Sequence, residues 1–410
     1  MSASFGHIYH PYEDMSLTFG DLYEITTKII SNDFDEKDLV FEKTDGQQLS
    51  VIWKEGKLFC ARNKSHLKES GRYSLDKNGL TTLFSHKDKL KKSFVSAFED
   101  LENALSFLNS LQLKKIFGKN ENRFLSVEII NPLTENVIPY DKNLIVFHTI
   151  LEYSETGNVV NEYPEKAKLL IDMIKELGKE NQKKYKLCYQ NKIKTFPLCI
   201  DNIYIYHKYI DKLRREFSLT TKSTLADYHK NWWADFIQKQ LFHFFNCRFS
   251  DSVLEGLVLR WSNTNKKYTL RDIKKDIEHP KVLEWVLNFD RNDYKSWYKY
   301  NIKKFEYIFF RLGADFLLQT ENLLVRDRKE AILQIKRNIH NIRKQWHTFI
   351  PNGYHYLKLQ EYFNYIDLIG EDKIIPTEGI IFRYKNKLYK LTGLFAPINQ
   401  ILGYFKYKRR

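Results

Sequence analysis

No run of about eighteen uncharged apolar residues occurs in the 410-residue sequence, so no segment has the length to cross a bilayer as a helix. Cysteine is scarce. The four present, Cys60, Cys188, Cys199 and Cys247, form no CxxC pair and no zinc-ligand spacing, which removes disulfide scaffolds and zinc modules. Free thiols in a reducing cytoplasm are the expectation. Met1 to Tyr12 lacks a basic start followed by an apolar core, so no secretory signal is expected. Neither a GxxxxGK(S/T) loop nor a GxGxxG fingerprint occurs, which argues against a P-loop kinase or a dinucleotide fold. Repeats and low-complexity tracts are missing too.

What is present is basic and rich in rings. Apolar residues make up 43% and aromatics 15%, enough for real cores, and the length suits two domains better than one. Lysine and arginine number 66 against 51 aspartates and glutamates, leaving +15 and a pI near 9.3. Such an excess favours polyanionic partners, because each neutralised phosphate releases counterions.

Periodicity divides the chain. Residues 1–35 read as an N-terminal attachment, with Thr18 and Asp21 as a capping box before Leu22, Ile25 and Ile29 at helical spacing. Strand-like runs dominate 36–160: Val40-Phe41, Leu49 to Trp53, Leu58 to Arg62, Phe124 to Ile130 and Leu144 to Thr149. Turn signals such as Glu55-Gly56 separate them, and a helical interlude spans roughly Asp88 to Leu111. From 161 to 368 the period is helical, with Pro164 opening the first helix and Ser223 placed to cap an aromatic one holding Trp232 and Trp233. Ile332, Ile335, Ile339 and Ile342 make an apolar stripe expected to be core, beside basic residues expected to be solvated or to meet phosphates. Strands return in 369–410, from Gly379 to Tyr384 and Leu388 to Leu391. The expected class is α+β, with a large helical insertion before the last strands.

Chemistry concentrates in Phe41-Glu42-Lys43-Thr44-Asp45-Gly46, a lysine between a strand and a glycine turn. Lysine is a nucleophile only when desolvation or neighbouring cations lower its pKa. Gly46 is expected to let a phosphate approach the backbone. Such a tetrapeptide alone is weak, but suitable residues follow in order: Arg62, Glu128, Phe147, Glu378 and Lys390. A carboxylate on a strand can bind ribose hydroxyls, an aromatic can stack on a purine, and a second carboxylate can hold magnesium. A late lysine can neutralise the α-phosphate and depress the pKa of Lys43.

In that order these segments resemble the motifs of the covalent nucleotidyltransferases, the superfamily of ATP-dependent DNA ligases, RNA ligases and mRNA-capping guanylyltransferases. The resemblance implies an adenylyltransferase domain of antiparallel, ATP-grasp-like sheets. It implies that Lys43 takes AMP from ATP, that Glu42 contacts adenine, and that Asp45 and Gly46 complete the nucleotide-binding motif. It further implies Arg62 and Glu128 at the sugar and pocket wall, Phe147 stacked on the base, and Lys390 on the α-phosphate. Glu378 matches the metal-linked glutamate, with Glu128 as a second metal candidate, so ATP and Mg2+ or Mn2+ are the implied cofactors. His10-Pro11-Tyr12-Glu13-Asp14 and the closing Phe395-Ala396-Pro397-Ile398-Asn399 are similar to ligase-like proteins of tailed phages. A cytoplasmic enzyme acting on RNA or DNA ends follows, in the host cytoplasm if the origin is a phage, with no membrane partner.

Two departures shape the expectation. Gln48 stands where many ligases carry arginine, and only 20 residues follow Lys390, which leaves no room there for an oligonucleotide-binding barrel. An RNA-ligase-like architecture is therefore favoured over a DNA ligase, a capping guanylyltransferase or a non-catalytic nucleic-acid-binding module. Glu255-Gly256 is a second Glu-Gly pair, but Glu378 is preferred because a strand and Lys390 follow it. His7, His10, Glu13 and Asp14 imitate a metal cluster, with packing the expected role.

Overall fold

In the computed structural model, which describes residues 8–34, 40–119, 122–134, 138–199, 201–262, 268–325, 327–349, 354–385 and 387–408, the strands gather into two main sheets. In chain order they are β1 (Phe41–Glu42), β2 (Gln47–Lys54), β3 (Lys57–Ala61), β4 (Arg123–Ile130), β5 (Leu144–Tyr153), β6 (Val159–Tyr163), β7 (Lys186–Tyr189), β8 (Lys194–Thr195), β9 (Thr320–Glu321), β10 (Ile380–Tyr384) and β11 (Lys387–Leu391). A six-stranded sheet runs β3-β2-β4-β5-β6, with β7 parallel to the first half of β5. A three-stranded antiparallel sheet runs β1-β10-β11, joining the chain just before Lys43 to strands over three hundred residues later. The β2–β3 hairpin turns on Glu55 and Gly56, both at positive φ (53° and 77°), the geometry that matches the twist of the flanking strands. Mixed helix with antiparallel sheet is α+β, as expected.

Alternation assigns the faces. Ile380, Phe382 and Tyr384 of β10, with Tyr389 and Leu391 of β11, are buried in a core shared with the helical block. The opposite face carries Ile381, Arg383, Leu388 and Lys390, and Arg383 reaches Glu162 of β6 at 3.5 Å, so this face looks at the six-stranded sheet. The other side of the large sheet is covered by helices Asp88–Ser106, Ser110–Phe117 and Pro164–Glu176 over a second core. Helices Arg328–Phe349, Tyr354–Ile369 and Phe395–Lys408 enclose a third core, where Ile335 and Ile339 of the isoleucine stripe are buried.

Two boundaries move. Residues 164–189 belong to the large sheet, not to the helical block: Ala167, Leu170, Ile171 and Ile174 of helix Pro164–Glu176 pack on it, and β7 extends it. Helical period alone cannot tell which body a helix covers. The block proper begins with helix Asp201–Glu216, against which the N-terminal helix Phe19–Ser31 lies. That N-terminal helix has its Thr18–Asp21 capping box, and Asp21 also accepts from the Tyr384 hydroxyl at 2.8 Å, fastening it to the last strands. The aromatic helix Leu225–Phe245 is capped by Thr224, one residue after Ser223, because Asp227 sits at the position that completes the box. Trp232 and Trp233 lie in its core. Among the described residues no helix is long and apolar enough to cross a membrane.

Candidate active site

Between the two sheets lies a cleft, and its floor is a polar stripe on the large sheet. Gln48 of β2 pairs across with Glu128 of β4, and Ser50 pairs with Ser126. Their neighbours Leu49, Val51, Val127 and Ile129 point the other way into the second core. Polar side chains buried at mid-sheet are costly unless they are satisfied or meet a ligand.

Lys43 emerges directly from β1. Its backbone N–H donates to Gly379 O at 2.8 Å, which joins it to the turn before β10. Its side chain follows the face of Phe41 and Ile381, towards the cleft, and its ammonium forms an ion pair with Glu378. Both are largely withdrawn from water, with 27% and 19% of their side chains exposed. Burial pushes the Lys43 amine below its ordinary value, opposed by Glu128 and Asp45 and assisted by Lys390. Burial likewise lowers Lys390, opposed by Glu13. Four segments remote in sequence thus bring Lys43, Glu128, Glu378 and Lys390 within electrostatic reach of one another.

Glu128 is the best-held group. Gly46 N–H donates to its Oε1 at 2.9 Å, the Thr44 hydroxyl donates to Oε2, and His148 Nε2 lies 3.2 Å from the same oxygen. Burial would raise its pKa, but His148, Lys43 and Thr44 hold it below the ordinary carboxylate value. Gly46 has a different purpose from the expected one. A Cβ there would lie 2.7 Å from Glu128 Cγ and from Ile129 O, so the missing side chain lets β4, not a phosphate, come close. Gly379, at φ 118° and in contact with Leu391 O, is fixed in the same way at the other sheet.

Several expected site residues look elsewhere. Phe147 is fully buried in the second core, on the helix-covered face, and cannot stack on a base in the cleft. The β4–β5 register slips between Ser126 and Val127, leaving His148 as the extra residue of a bulge, and its ring turns to Glu128. Phe147→Ala is therefore expected to cost about 3–5 kcal/mol of stability while leaving nucleotide affinity unchanged, as chemical denaturation and ATP titration would read. Glu42 pairs with Ile380, whose face packs on the helical block, and is 1% exposed. It accepts from Leu324 N at 2.9 Å and Asn191 Nδ2 at 3.1 Å, and burial raises it to about 7. It clamps two loops and does not face a nucleotide. Asp45 accepts from Ile138 N at 3.2 Å and donates its own N–H to the Tyr140 hydroxyl at 3.0 Å, fixing the approach to β5.

Arg62 stays at the rim. Its guanidinium lies 5.4 Å from the Phe94 ring, burial lowers its pKa, and Glu128 opposes that shift. Glu255, the rival of Glu378, is exposed on helix Asp251–Trp261, where Gly256 abuts Tyr268. His10 is buried and stacks on Tyr12 at 4.9 Å, as packing requires, while His7 lies outside the described residues. Thr44 and His148 are the residues whose contacts the sequence did not foretell. Thr44 sat inside the motif without a role, and nothing in the local pattern marks the bulge at His148. A buried, pKa-depressed lysine ion-paired to a carboxylate, with a second cation and a fixed carboxylate nearby, is suited to nucleophilic attack on an anionic centre. No protein-family model and no curated protein matches this chain.

Proposed function

We propose that the chain is an ATP-dependent polynucleotide ligase of the RNA-ligase-like kind, acting through a lysyl-AMP intermediate on Lys43. The observation that carries this is the convergence of Lys43, Glu128, Glu378 and Lys390 on one cleft between two sheets. Neutral Lys43 Nζ forms a bond to the α-phosphorus of ATP as the bond to the bridging oxygen breaks. Pyrophosphate leaves with the electron pair, and the amine proton passes to solvent. Lys390 offsets negative charge on the transferring group, and Glu128, held by Thr44 and Gly46, offers a fixed acceptor for ribose hydroxyls. The AMP then passes to a 5′-phosphate, and a 3′-hydroxyl displaces it to join the strand.

A divalent ion fits the donor set. Mg2+ is typically held by one or two carboxylates together with substrate phosphates, and Glu378 supplies one hard carboxylate at the nucleophile, its other oxygen 3.5 Å from Asn399 Nδ2. Bound there, it would supply charge neutralisation on the phosphates. The ion pair with Glu378 keeps Lys43 protonated, so that contact must loosen before attack.

Incubation with ATP and magnesium followed by intact-mass measurement tests the reading. The expected result is one added AMP from ATP and none from GTP, whereas GMP addition would make it a capping-type enzyme. Only the neutral amine attacks. The labelling rate is therefore expected to climb with pH through the Lys43 pKa and level off above it, with the inflection below the ordinary lysine value of about 10.4. Lys390→Ala removes a cation that depresses Lys43 and should move that inflection upward.

A further inference from the structure

The helical block carries a surface that the cleft chemistry does not use. Helix Tyr294–Leu318 starts far from the site and ends beside it: Gly313 packs against the Thr392 backbone, two residues beyond Lys390. Its first turns hold a ladder of rings that climbs out of the core. Phe236 is stacked on Trp232 at 5.2 Å and lies 4.6 Å from Trp297, and Trp297 lies 5.5 Å from Tyr300. Exposure rises along it, from 8% at Trp232 and Phe236 to 36% at Trp297 and 52% at Tyr300.

Core packing explains the inner two rings and not the outer two. An exposed Trp and Tyr one helical turn apart are also flanked by cations. Between Arg291 and Lys304 the sequence has five basic residues against one acidic, Asp293. Lys303 and Lys304 are engaged with Glu361 and Glu216. Lys295 and Lys299, both exposed and one turn apart, have no carboxylate partner among the described residues. Rings that offer a π-face, spaced among unpaired lysines, suit bases and phosphates together.

We infer that Trp297 and Tyr300, with Lys295 and Lys299, form a stacking platform for a single-stranded segment of the nucleic acid whose end enters the cleft. The occupant, a nucleic-acid strand, is taken from the ligase reading above; the platform itself stands on the exposed rings and unpaired cations. Stacking on a ring uses the face of an unpaired base, which a duplex hides, so the single strand is the favoured form. Helix geometry sets the reach. From Tyr300 and Trp297 to Gly313 is about 20–24 Å at 1.5 Å per residue, or about six to seven stacked nucleotides at 3.4 Å each.

The test uses the full-length protein and fluorescein-labelled uridine strands of twelve and four nucleotides, without ATP, over a range of salt. Tyr300→Ala is expected to weaken twelve-nucleotide binding roughly tenfold and to leave self-labelling from ATP unchanged. Trp297→Ala should do the same, and Tyr300→Ala, at a half-exposed position, serves if Trp297→Ala fails to fold. Lys295→Gln with Lys299→Gln should make the log–log salt slope shallower by about 1.4. The four-nucleotide strand should not respond to any of these changes. Unchanged binding in both aromatic variants, or equal binding of a matching duplex, would overturn the platform. Because the binding assay contains no ATP, and the labelling assay no strand, failure here is distinct from failure of the lysyl-AMP chemistry.

Discussion

Lys43→Ala is expected to reduce covalent labelling from α-labelled ATP to background. The amine is the one group that joins three conditions: a position on the cleft face beside β1, a pKa lowered by burial, and a carboxylate partner that can release it. Lys390, the other lysine in the cleft, assists by charge and is not expected to substitute as nucleophile. Lys43→Arg is the sharper variant. Arginine keeps the ion pair with Glu378 and the cation that the buried carboxylates need, so the fold should survive, yet its guanidinium cannot be deprotonated in a protein. Both variants should be silent in the labelling assay, and Lys43→Arg should melt close to the wild type. Labelling that persists in either would mean that the adduct forms elsewhere.

Glu378→Ala is expected to slow labelling by roughly a hundredfold or more, the usual scale for removing one electrostatic group aimed at the reacting centre. Glu255→Ala should leave the rate within about twofold of the wild type. The two residues share a Glu-Gly motif and differ in surroundings. Glu378 sits against the Lys43 ammonium at the entry to β10, whereas Glu255 points to solvent from a helix. Glu378→Gln separates charge from shape: it retains the side chain's length and hydrogen-bonding capacity but removes the anion. A loss comparable to that of Glu378→Ala would assign the effect to charge. Loss of labelling in Glu255→Ala with retention in Glu378→Ala would reverse the choice between the motifs and move the site into the helical block.

Much of the layout could be read from residue order. The strands around Lys43 and Lys390, the Glu55-Gly56 turn, the Thr18–Asp21 cap and the preference for Glu378 over Glu255 all follow from short-range patterns, and the structure contains each of them. What escaped was orientation. A strand's side chains alternate with period two, so one inserted residue sends its successors to the other face. The bulge at His148 is such an insertion, and it places histidine, not Phe147, beside Glu128. Glu42 escaped for a related reason. Its face is set by pairing with Ile380, which lies more than three hundred residues away, and no local pattern encodes that register. Helix Pro164–Glu176 shows the same limit for domains, since its apolar face fits either body and only the tertiary fold chooses.

The fold also changes the role of motif residues. In the sequence, Gly46 and Asp45 look like ligand-binding positions. In the structure Gly46 admits Glu128, and Asp45 anchors the segment through Ile138 and Tyr140. The motif therefore builds the pocket wall at least as much as it meets a nucleotide. This makes Gly46→Ala a poor probe of chemistry, because it displaces a carboxylate and a strand at once.

The most direct test is to digest the protein after incubation with ATP and magnesium and to locate the added mass by peptide sequencing. One AMP on the peptide containing Lys43, joined through its side-chain nitrogen, is the predicted result. An adduct on any other residue, or a fully active strand-joining protein that never carries one, would contradict it.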